Sequence, residues 1–405
     1  MHACLDLIPD DVERVYLAYS GGLDSSVLLH LLMHRPANYE IIAWHVNHGL
    51  QAAAQPMQDF CLAEAERYGV ELRLDQLQLA CLDRNIEAEA RRQRYALFES
   101  ALDERSCVLT AHHADDQAET FLLNALRGSG SAGLRGIARQ RQLGGGLLLR
   151  PLLDYSREQL HEYADRAGIA WFDDPSNQQR RFDRNYLRNE VMPGIAARWP
   201  HYASALGTAA RLQGETQSLL DEIAAQDFKR LSRSDADTLP TLDRDETMEL
   251  SEARQRNLLR YWVAEAGLAS IPGARLDELV RQLSARADAM PMISLPGYSI
   301  RLYDGRLFLV EDGRGNAPSG IFDFDREPVI EINECQLRLA RSEIFDRLQI
   351  EDGNQRLSIR FRRSGEGGGH SHRLKRLFQK HRVPPWRRDS VPQVYLDDEL
   401  RGILQ

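Results

Sequence analysis

Lysine is scarce in this chain of 405 residues. Arginine supplies nearly all of the 51 basic side chains, and the only lysines are Lys229, Lys375 and Lys380. The first 228 residues therefore contain none. This absence excludes a phosphate-binding Walker A lysine and a Schiff-base lysine from that part of the sequence.

Paired cysteines are missing as well. The five cysteines are an odd number, and no two of them lie three residues apart: Cys4, Cys61, Cys81, Cys107 and Cys335. This spacing indicates neither a disulfide framework nor a CxxC zinc or redox site.

Long apolar runs are also absent. No run approaches the roughly 18 residues that a membrane span needs, and residues 1–10 have neither a positive charge nor the apolar core of a signal peptide. We therefore expect a cytoplasmic protein without a membrane partner. With 43% apolar and 27% charged residues, a chain of this length is expected to form two or three domains.

Charge is unevenly distributed along the chain. The formal net charge of -9 argues against a protein that coats nucleic acid indiscriminately. Residues 356–388, which we call the basic island, nevertheless contain eleven Lys or Arg and a single acid, Glu366, a local charge of +10. Clustered cations with interleaved aromatic residues suit an RNA backbone. Trp386 in this island is typical either of a base-stacking residue or of a core residue.

The first half of the chain alternates strands with helices. Apolar runs predict strands over 15–19, 41–44 and 107–110, and helices are predicted over 25–34, 58–68, where the pattern is amphipathic, 86–102 and 116–127. A capping box of Ser156 and Gln159 begins another helix, which ends near Gly168. This alternation predicts an α/β fold with a doubly wound, Rossmann-like parallel sheet.

The rest of the chain has a different pattern. Helices are predicted over 203–225, 251–266 and 275–285, followed by short strands over 292–311 with a hairpin turn at Asp304-Gly305. Residues 313–320, rich in Gly, Asn, Pro and Ser, predict a linker. We predict an α/β domain over 1–194, a mainly helical domain over 195–312 and a small α+β domain over 321–405.

The strongest chemical signal is Ser20-Gly21-Gly22-Leu23-Asp24-Ser25, between a strand and a helix. Two glycines let the backbone turn sharply, and the start of the helix offers unpaired N–H groups to an anion. Phosphate suits that place, while the carboxylate of Asp24 can hold a metal ion or an amine. The alternative is a turn without a ligand.

Two further polar turns follow predicted strands. His45-Val46-Asn47-His48-Gly49 follows one, and a stretch with His112, His113, Asp115, Asp116 and Glu119 follows another. Ligands of an open parallel sheet bind outside the carboxyl ends of the strands, so the three turns are expected to share one crevice. The residue types favour Mg²⁺ arriving with a nucleotide over a permanent transition-metal centre. Asp116 and Glu119 are also typical of acids that cap a helix.

An arginine-rich helix is the remaining feature of the first half. Arg91 and Arg94 share one face of the helix predicted over 86–102 and suit bidentate contacts with phosphate. The alternative interpretation is a solvated charged face.

These residues resemble the PP-loop ATP pyrophosphatase superfamily and, within it, the tRNA(Ile)-lysidine synthetase family. Besides 20–25, the similar stretches are 45–50, 87–95, 110–134, 150–153, 174–177, 184–188, 374–378 and 383–386. Two positions depart from the family pattern. Gln51 stands where the family has Arg, and residues 365–372 are glycine-rich where the family has a more acidic loop.

The resemblance implies a PP-loop ATPase fold and a two-step ligase. O2 of the wobble cytidine of a tRNA(Ile) with a CAU anticodon attacks the α-phosphate of ATP and releases pyrophosphate. The ε-amine of free L-lysine then displaces AMP at C2 to form lysidine. ATP and Mg²⁺ are the implied cofactors, the second and third domains are implied to bind substrate and tRNA, and a homodimer is one option for the assembly.

In that scheme the residues take three expected roles. The ATP-binding residues are Ser20, Gly21, Gly22, Leu23, Asp24, Ser25, His45 and Arg94. The catalytic residues are Asp24, Arg91, His112, Asp116 and Glu119, with Asp24 also expected to hold Mg²⁺, and with His112 or Asp116 as the base for the ε-amine. The tRNA-binding residues are Arg184, Arg188, Arg373, Lys375, Arg376, Lys380 and Arg387.

Three other functions compete with this one. A PP-loop tRNA thiolase would need a persulfide-carrying cysteine or an iron–sulfur site, and no cysteine lies in a crevice motif. An amide synthetase acting on a small molecule, like the related synthetases for NAD, GMP or asparagine, would not explain the basic island. A catalytically silent RNA-binding protein would not need the complete stretches 20–25 and 110–119.

Overall fold

A computed structural model of the chain describes residues 1–36, 38–47, 54–77, 86–173, 183–233, 239–284, 291–312, 321–324, 329–332, 337–349, 356–361 and 371–404. Four sequence predictions concern residues outside these ranges: the family-like residues 48–51, the loop 174–177, the linker 313–320 and the glycine-rich residues 365–370. The chain divides into two compact units, Met1–Leu219 and Leu220–Gln405.

The first unit is built on one six-stranded sheet. Its strands are β1 (Arg14–Ala18), β2 (Glu40–Asn47), β3 (Glu71–Gln76), β4 (Ser106–Leu109), β5 (Gln140–Leu143) and β6 (Gly146–Leu149). They lie in the order β3-β2-β1-β4-β6-β5, and all neighbours pair in parallel except β5, which is antiparallel to β6. The predicted doubly wound sheet is confirmed. Because β2 and β4 flank β1, the winding reverses beside β1, which places a crevice beyond its carboxyl end.

Helices cover both faces of this sheet. They are α1 (Leu23–Met33), α2 (Ala54–Tyr68), α3 (Ile86–Ala101), α4 (Ala114–Leu126), α5 (Ser131–Leu134) and α6 (Arg157–Ala167), with a 3-10 turn at His2–Leu7. Side chains of β1 alternate between two cores, as a strand covered on both faces requires. Val15 packs with Val27 and Leu160, whereas Tyr16 packs with Trp44 and Phe98.

Two strands of the sheet carry no clear sequence signal. β3 reads ELRLDQ and β5 reads QRQL, so neither forms an apolar run. Both lie at the edges of the sheet. There the side chains remain exposed to solvent, and the backbone pairs with a single neighbouring strand. By contrast, the predicted capping box of Ser156 and Gln159 is confirmed, and α6 ends at Gly168 with a φ of 63°.

A second group of helices follows in the sequence. It consists of α7 (Asp183–Tyr186), a π-helical segment Leu187–Val191, α8 (Met192–Arg198) and the long α9 (Tyr202–Leu231). Pro193 lies in the first turn of α8, where a missing N–H leaves no hydrogen bond unmade.

The second unit begins with helices packed on an antiparallel sheet. The helices are α10 (Arg244–Met248), α11 (Glu252–Glu265) and α12 (Gly273–Leu283), and the strands are β7 (Ser232–Arg233), β8 (Thr241–Asp243), β9 (Met292–Leu295), β10 (Tyr298–Tyr303) and β11 (Arg306–Glu311). The strand order is β7-β8-β11-β10-β9. The predicted hairpin turn at Asp304-Gly305 is confirmed, with positive φ at both residues.

The end of the chain forms a small α+β structure. A four-stranded sheet in the order β12-β15-β16-β17 consists of β12 (Ile321–Asp323), β15 (Leu357–Arg360), β16 (Gln393–Leu396) and β17 (Glu399–Ile403), and β13 (Val329–Ile332) pairs with β14 (Leu337–Ala340). Two helices, α13 (Arg341–Leu348) and α14 (Ser371–Lys380), and a 3-10 turn at Pro385–Arg387 complete it. The predicted fold class is confirmed, and the predicted domain limits stay predictions.

Membrane-spanning helices were sought among the residues described above. None of those helices is long and apolar enough to cross a membrane.

Candidate active site

The turn between β1 and α1 has the form expected of an anion-binding loop. Gly22 is the N-cap of α1, and no side chain caps the helix, so N–H groups of the first turn remain available to a ligand. The Ser20 and Ser25 hydroxyls lie 3.1 Å apart, and Ser25 donates to the Gly22 carbonyl. Leu23 is buried at the start of the helix and anchors the loop to the core.

Gly21 is required at its position for two reasons. Its φ is +77°, a region that residues with a Cβ rarely adopt. A Cβ there would also lie 2.9 Å from the Cys61 sulfur and 3.1 Å from the Phe60 ring. The Gly21 carbonyl accepts a hydrogen bond from the Phe172 amide, so the loop is fixed from both sides.

His45 lies beneath this loop rather than in the open crevice. Its ring is buried, and Nδ1 donates to the carbonyl of Tyr19, the residue that precedes the loop. Burial lowers the pKa of His45. The described geometry therefore links His45 to the loop through the backbone, and its direct contact with ATP stays a prediction.

A buried histidine joins the loop to the start of α4. His113 is 1% exposed, and its ring nitrogens lie 3.6 Å from Asp24, 3.5 Å from Asp115 and 3.5 Å from Asp116. Burial alone would lower the pKa of His113, but the three carboxylates raise it overall. His113 thus lies among acids that favour its charged form, an arrangement that the sequence did not reveal.

Asp24 differs electrostatically from its neighbours. Burial raises its pKa, although His113 opposes this. Its Oδ1 atom is buried and has no hydrogen-bond partner. A buried carboxylate oxygen without a partner is costly, so this atom is suited to receiving a cation.

Asp115 connects the start of α4 to neighbouring helices. Its carboxylate accepts hydrogen bonds from the Tyr202 hydroxyl at 2.6 Å and from the Arg157 amide at 2.8 Å. These contacts fix the start of α4 against α6 and α9. No sequence signal identified Tyr202 as a partner, because it is distant in the chain and is not part of a motif.

Asp116 and Glu119 are paired with two arginines from the segment that follows α6. Arg184 lies 3.0 Å from Asp116 and 2.8 Å from Glu119, and Arg188 lies 2.8 Å and 2.6 Å from the same two carboxylates. Arg188 stands in the π-helical segment, a geometry common at functional sites. Both acids lie in the crevice as expected. A tRNA phosphate that binds Arg184 or Arg188, as predicted from the sequence, would have to displace these acids from the arginines.

His112 precedes His113 in the turn between β4 and α4. Its Nδ1 is 2.9 Å from the Thr110 hydroxyl. Burial lowers the pKa of His112 to about 3, and the positive charges of Arg150, Arg184 and Arg91 act in the same direction. The ring is therefore neutral near pH 7 and accepts a proton only weakly.

Arg91 and Arg94 lie on α3 as predicted. Their guanidinium carbons are 4.9 Å and 6.0 Å from the centre of the Tyr95 ring. The alternative of a fully solvated face does not describe Arg94, which is half-buried.

The predicted tRNA-binding cations of the basic island are exposed on α14. Arg373, Lys375, Arg376 and Lys380 face outward, whereas Phe378 is buried between Leu374 and Leu377. Arg387, in the following 3-10 turn, is also exposed. One face of α14 is thus a row of cations without an acid, as an RNA-binding helix requires.

Trp386 packs against the hairpin of β10 and β11. Its ring centre is 6.0 Å from that of Tyr303 and 5.5 Å from that of Phe308, and the Arg301 guanidinium lies 5.2 Å from it. Of the two alternatives left by the sequence, the structure favours the packing role.

A resident metal centre was also considered. Among the described residues no group of three or more His, Cys, Asp or Glu side chains could hold a metal ion. Mg²⁺ that arrives with a nucleotide needs only one or two carboxylates, and Asp24 with its unpartnered oxygen meets that requirement.

Comparison with known families assigns most of the chain. Residues 3–195 match the family described as PP-loop domain, residues 242–308 match the TilS substrate binding domain, and residues 356–403 match the TilS substrate C-terminal domain. A solved structure of the U34-tRNA thiolase NcsA from Methanococcus maripaludis is 17% identical with a TM-score of 0.42, over 52% of this chain and 75% of that chain. That likeness is too low to say anything about function.

Three relatives cover nearly the whole chain, and each is a tRNA(Ile)-lysidine synthase. The protein of Serratia proteamaculans is 38% identical over 97% of this chain and 91% of its own length. The protein of Alkalilimnicola ehrlichii is 39% identical, and that of Coxiella burnetii 35%, each over 96% of this chain and 88% of the relative. With its catalytic, substrate-binding and C-terminal parts all matched, the chain belongs to the tRNA(Ile)-lysidine synthase family.

Proposed function

We propose that this protein is the ligase that joins free L-lysine to C2 of the wobble cytidine in tRNA(Ile) with a CAU anticodon, using ATP. The observation that carries the proposal is the uncapped loop of residues 20–25 beside a buried cluster of Asp24, His113, Asp116 and Glu119. Family membership supports it over the thiolase, the small-molecule synthetase and the silent RNA-binding protein.

The first step activates the base. O2 of the cytidine attacks the α-phosphate of ATP, the bond between the α- and β-phosphates breaks, and pyrophosphate leaves. Catalysis of such an in-line displacement depends on positioning and on cations near the phosphates. We assign positioning to the Ser20 and Ser25 hydroxyls and to the free N–H groups at the start of α1, and charge stabilisation to Arg91 and Arg94.

Mg²⁺ is part of the proposal because of the chemistry of Asp24. When bound, the ion would neutralise charge on the phosphates. Asp24 is the residue that would hold it, since its Oδ1 is buried without a partner.

The second step transfers lysine. The ε-amine attacks C2, and AMP leaves with the original O2. Lysine carries two amines and one carboxylate, and the described crevice presents both signs of charge: Asp116 and Glu119 can hold the amines, and Arg184 and Arg188 can hold the carboxylate. Binding would then exchange existing ion pairs for new ones.

The ε-ammonium must lose a proton before it attacks. The sequence pointed to His112 or Asp116 as the base. The pKa of His112 is lowered to about 3, and nearby cations, His113 foremost, lower that of Asp116 to about 2 although burial opposes them. Asp24 is assigned to Mg²⁺ and is therefore not available as the base, so the base stays a choice between His112 and Asp116.

The exposed cations of α14 are assigned to the tRNA. They lie in the second unit, and their contacts with phosphates would supply affinity rather than sequence specificity. The proposal places the enzyme in the cytoplasm with its tRNA, ATP and lysine, and it holds for a monomer or a homodimer.

The direct test is the incorporation of labelled lysine into an unmodified tRNA(Ile) transcript with a CAU anticodon. We expect label in the RNA only when ATP and Mg²⁺ are present. A transcript whose wobble cytidine is replaced by uridine is the matched control and should remain unlabelled. Absence of label from the cytidine transcript, in protein shown to be folded, would refute the proposal.

A further inference from the structure

Four arginines surround one tyrosine in the first unit. The guanidinium carbons of Arg91, Arg94 and Arg141 lie 4.9 Å, 6.0 Å and 5.0 Å from the centre of the Tyr95 ring. Arg91 also donates to the Tyr95 hydroxyl at 3.3 Å, and Arg150 interacts with the same hydroxyl. We call these four side chains the Tyr95 arginine cluster.

The cluster has no counter-charge among the residues that the structure describes. None of its four guanidinium groups forms an ion pair there, although Arg92, next in sequence, lies 2.8 Å from Glu89. Arg150 is 4% exposed, and its Nε atom has no hydrogen-bond partner. Gathering four like charges with no acid beside them among the described side chains is unfavourable in the free protein. An anionic ligand would remove that cost.

The charges of the cluster also shift the pKa values of the residues within it. Burial alone would raise the pKa of Tyr95, but Arg91, Arg150 and Arg94 lower it overall. Burial and nearby arginines both lower the pKa of Arg150. A region where a phenol becomes more acidic is one where a phosphate is stabilised.

The backbone places the cluster at the edge of the crevice. Arg150 directly follows β6, beside Thr110, which follows β4 and whose amide donates to the Leu149 carbonyl at 3.0 Å. Arg141 stands on β5, opposite Leu148 of β6. Since α3 follows β3 in the crossover to β4, its first turns, with Arg91 and Arg94, lie at the same end of the sheet.

We propose that Arg141 and Arg150 join Arg91 and Arg94 in a phosphate site at the edge of the crevice. Guanidinium groups pair with phosphate oxygens in a bidentate manner, and four of them suit a polyanion. Two sources supply this chemistry in the reaction: the pyrophosphate part of ATP, and the tRNA backbone beside the wobble nucleotide. The inference rests on the proposed function, because that function supplies both kinds of phosphate. It adds Arg141 and Arg150 to the residues of the site.

Exposed Arg141 is the best residue for a test, because its substitution need not disturb the core. The variants are Arg141→Gln and Arg94→Gln. The matched control is Arg139→Gln, two residues before Arg141 and paired with Asp154 outside the cluster. Isothermal calorimetry with inorganic pyrophosphate forms one arm, and binding of an unmodified tRNA(Ile) transcript at several salt concentrations forms the other. Thermal unfolding verifies that each variant is folded.

The two arms distinguish the sources. A rise of about tenfold in the Kd for pyrophosphate, absent from the control, assigns the site to the nucleotide. A similar rise in the Kd for tRNA, with a salt slope reduced by about one, assigns it to an RNA phosphate. If both constants stay within about twofold of those of Arg139→Gln, the inference is wrong. Neither arm requires lysine or turnover, so failure of lysine incorporation would leave these results standing.

Discussion

Asp24 combines a buried oxygen without a partner and a pKa that burial raises. We expect Asp24→Asn to keep its melting temperature, because a neutral amide is easier to bury than a carboxylate. Pyrophosphate formation in the presence of ATP and tRNA should fall by about 100-fold, the loss typical of removing one group that stabilises developing charge. Asp165→Asn, an exposed carboxylate on α6, is the control and should retain activity. Wild-type activity of Asp24→Asn would remove this residue from the mechanism.

His113 gives the site a predicted pH dependence. Its folded-state pKa is raised by Asp116, Asp115 and Asp24. A raised pKa contributes stability that is complete below the unfolded value of about 6.5 and is lost as pH rises through the folded value. The difference in unfolding free energy between wild type and His113→Gln should therefore be larger at about pH 6 than at about pH 9. Denaturant titration at both values measures it.

The control for this experiment is Thr120→Ala on α4, which removes a hydroxyl and no titratable group. The difference in unfolding free energy between this variant and wild type should change little between the two pH values. A His113→Gln difference that stays constant, or that grows with pH, would contradict the raised pKa of His113.

Single residues were predictable from the sequence where a motif fixed the backbone. Gly21 and Asp24 follow directly from Ser-Gly-Gly-x-Asp-Ser. The role of His113 was not predictable, because its partner Asp24 is 89 positions away in the sequence. The pairing of Arg184 and Arg188 with Asp116 and Glu119 was likewise hidden, since periodicity shows that a residue is charged but not what it contacts.

At the scale of elements, the turn from β1 to α1 depends on a glycine that has no room for a side chain. Gly21→Ala introduces backbone strain at φ +77° and a contact of 2.9 Å with the Cys61 sulfur. Gly69→Ala, at φ +65° with nothing within 4 Å, carries similar strain without the contact. We expect ATP affinity to fall by at least tenfold in the first variant and to stay unchanged in the second. Calorimetry with ATP and Mg²⁺ separates the two, and equal affinities would contradict the fixed loop.

The elements were predicted well where burial required apolar residues. β1, β4 and α1 are buried on nearly all sides, so each contains a nearly continuous apolar run. The edge strands β3 and β5 lack such a run, and tertiary pairing alone defines them. The π-helical turn at Leu187–Val191 also had no signal, although it carries Arg188 of the crevice.

At the scale of the whole molecule, the basic island should control tRNA affinity without affecting the nucleotide. The double variant Lys375→Gln/Arg376→Gln removes two exposed cations of α14. We expect the slope of log affinity for tRNA against log salt to fall by about 1.4 to 1.8, from about 0.7 to 0.9 for each phosphate contact. ATP affinity should stay at the wild-type value.

A control with the same change in charge tests whether position matters. Arg275→Gln/Arg347→Gln removes two exposed arginines of the second unit that are paired with Glu278 and Glu343. An equal loss of tRNA affinity in this control would show that net charge, rather than the row of cations on α14, determines binding.

The central claim about the reaction is that ATP bound at the nucleotide loop adenylates the wobble cytidine before lysine attacks. ATP labelled at its α-phosphate, incubated with the protein and an unmodified tRNA(Ile) transcript without lysine, tests it most directly. The account predicts label bound to the transcript, and its complete release as AMP when lysine is added. Label that never joins the transcript, while the same preparation incorporates lysine, would contradict the two-step mechanism.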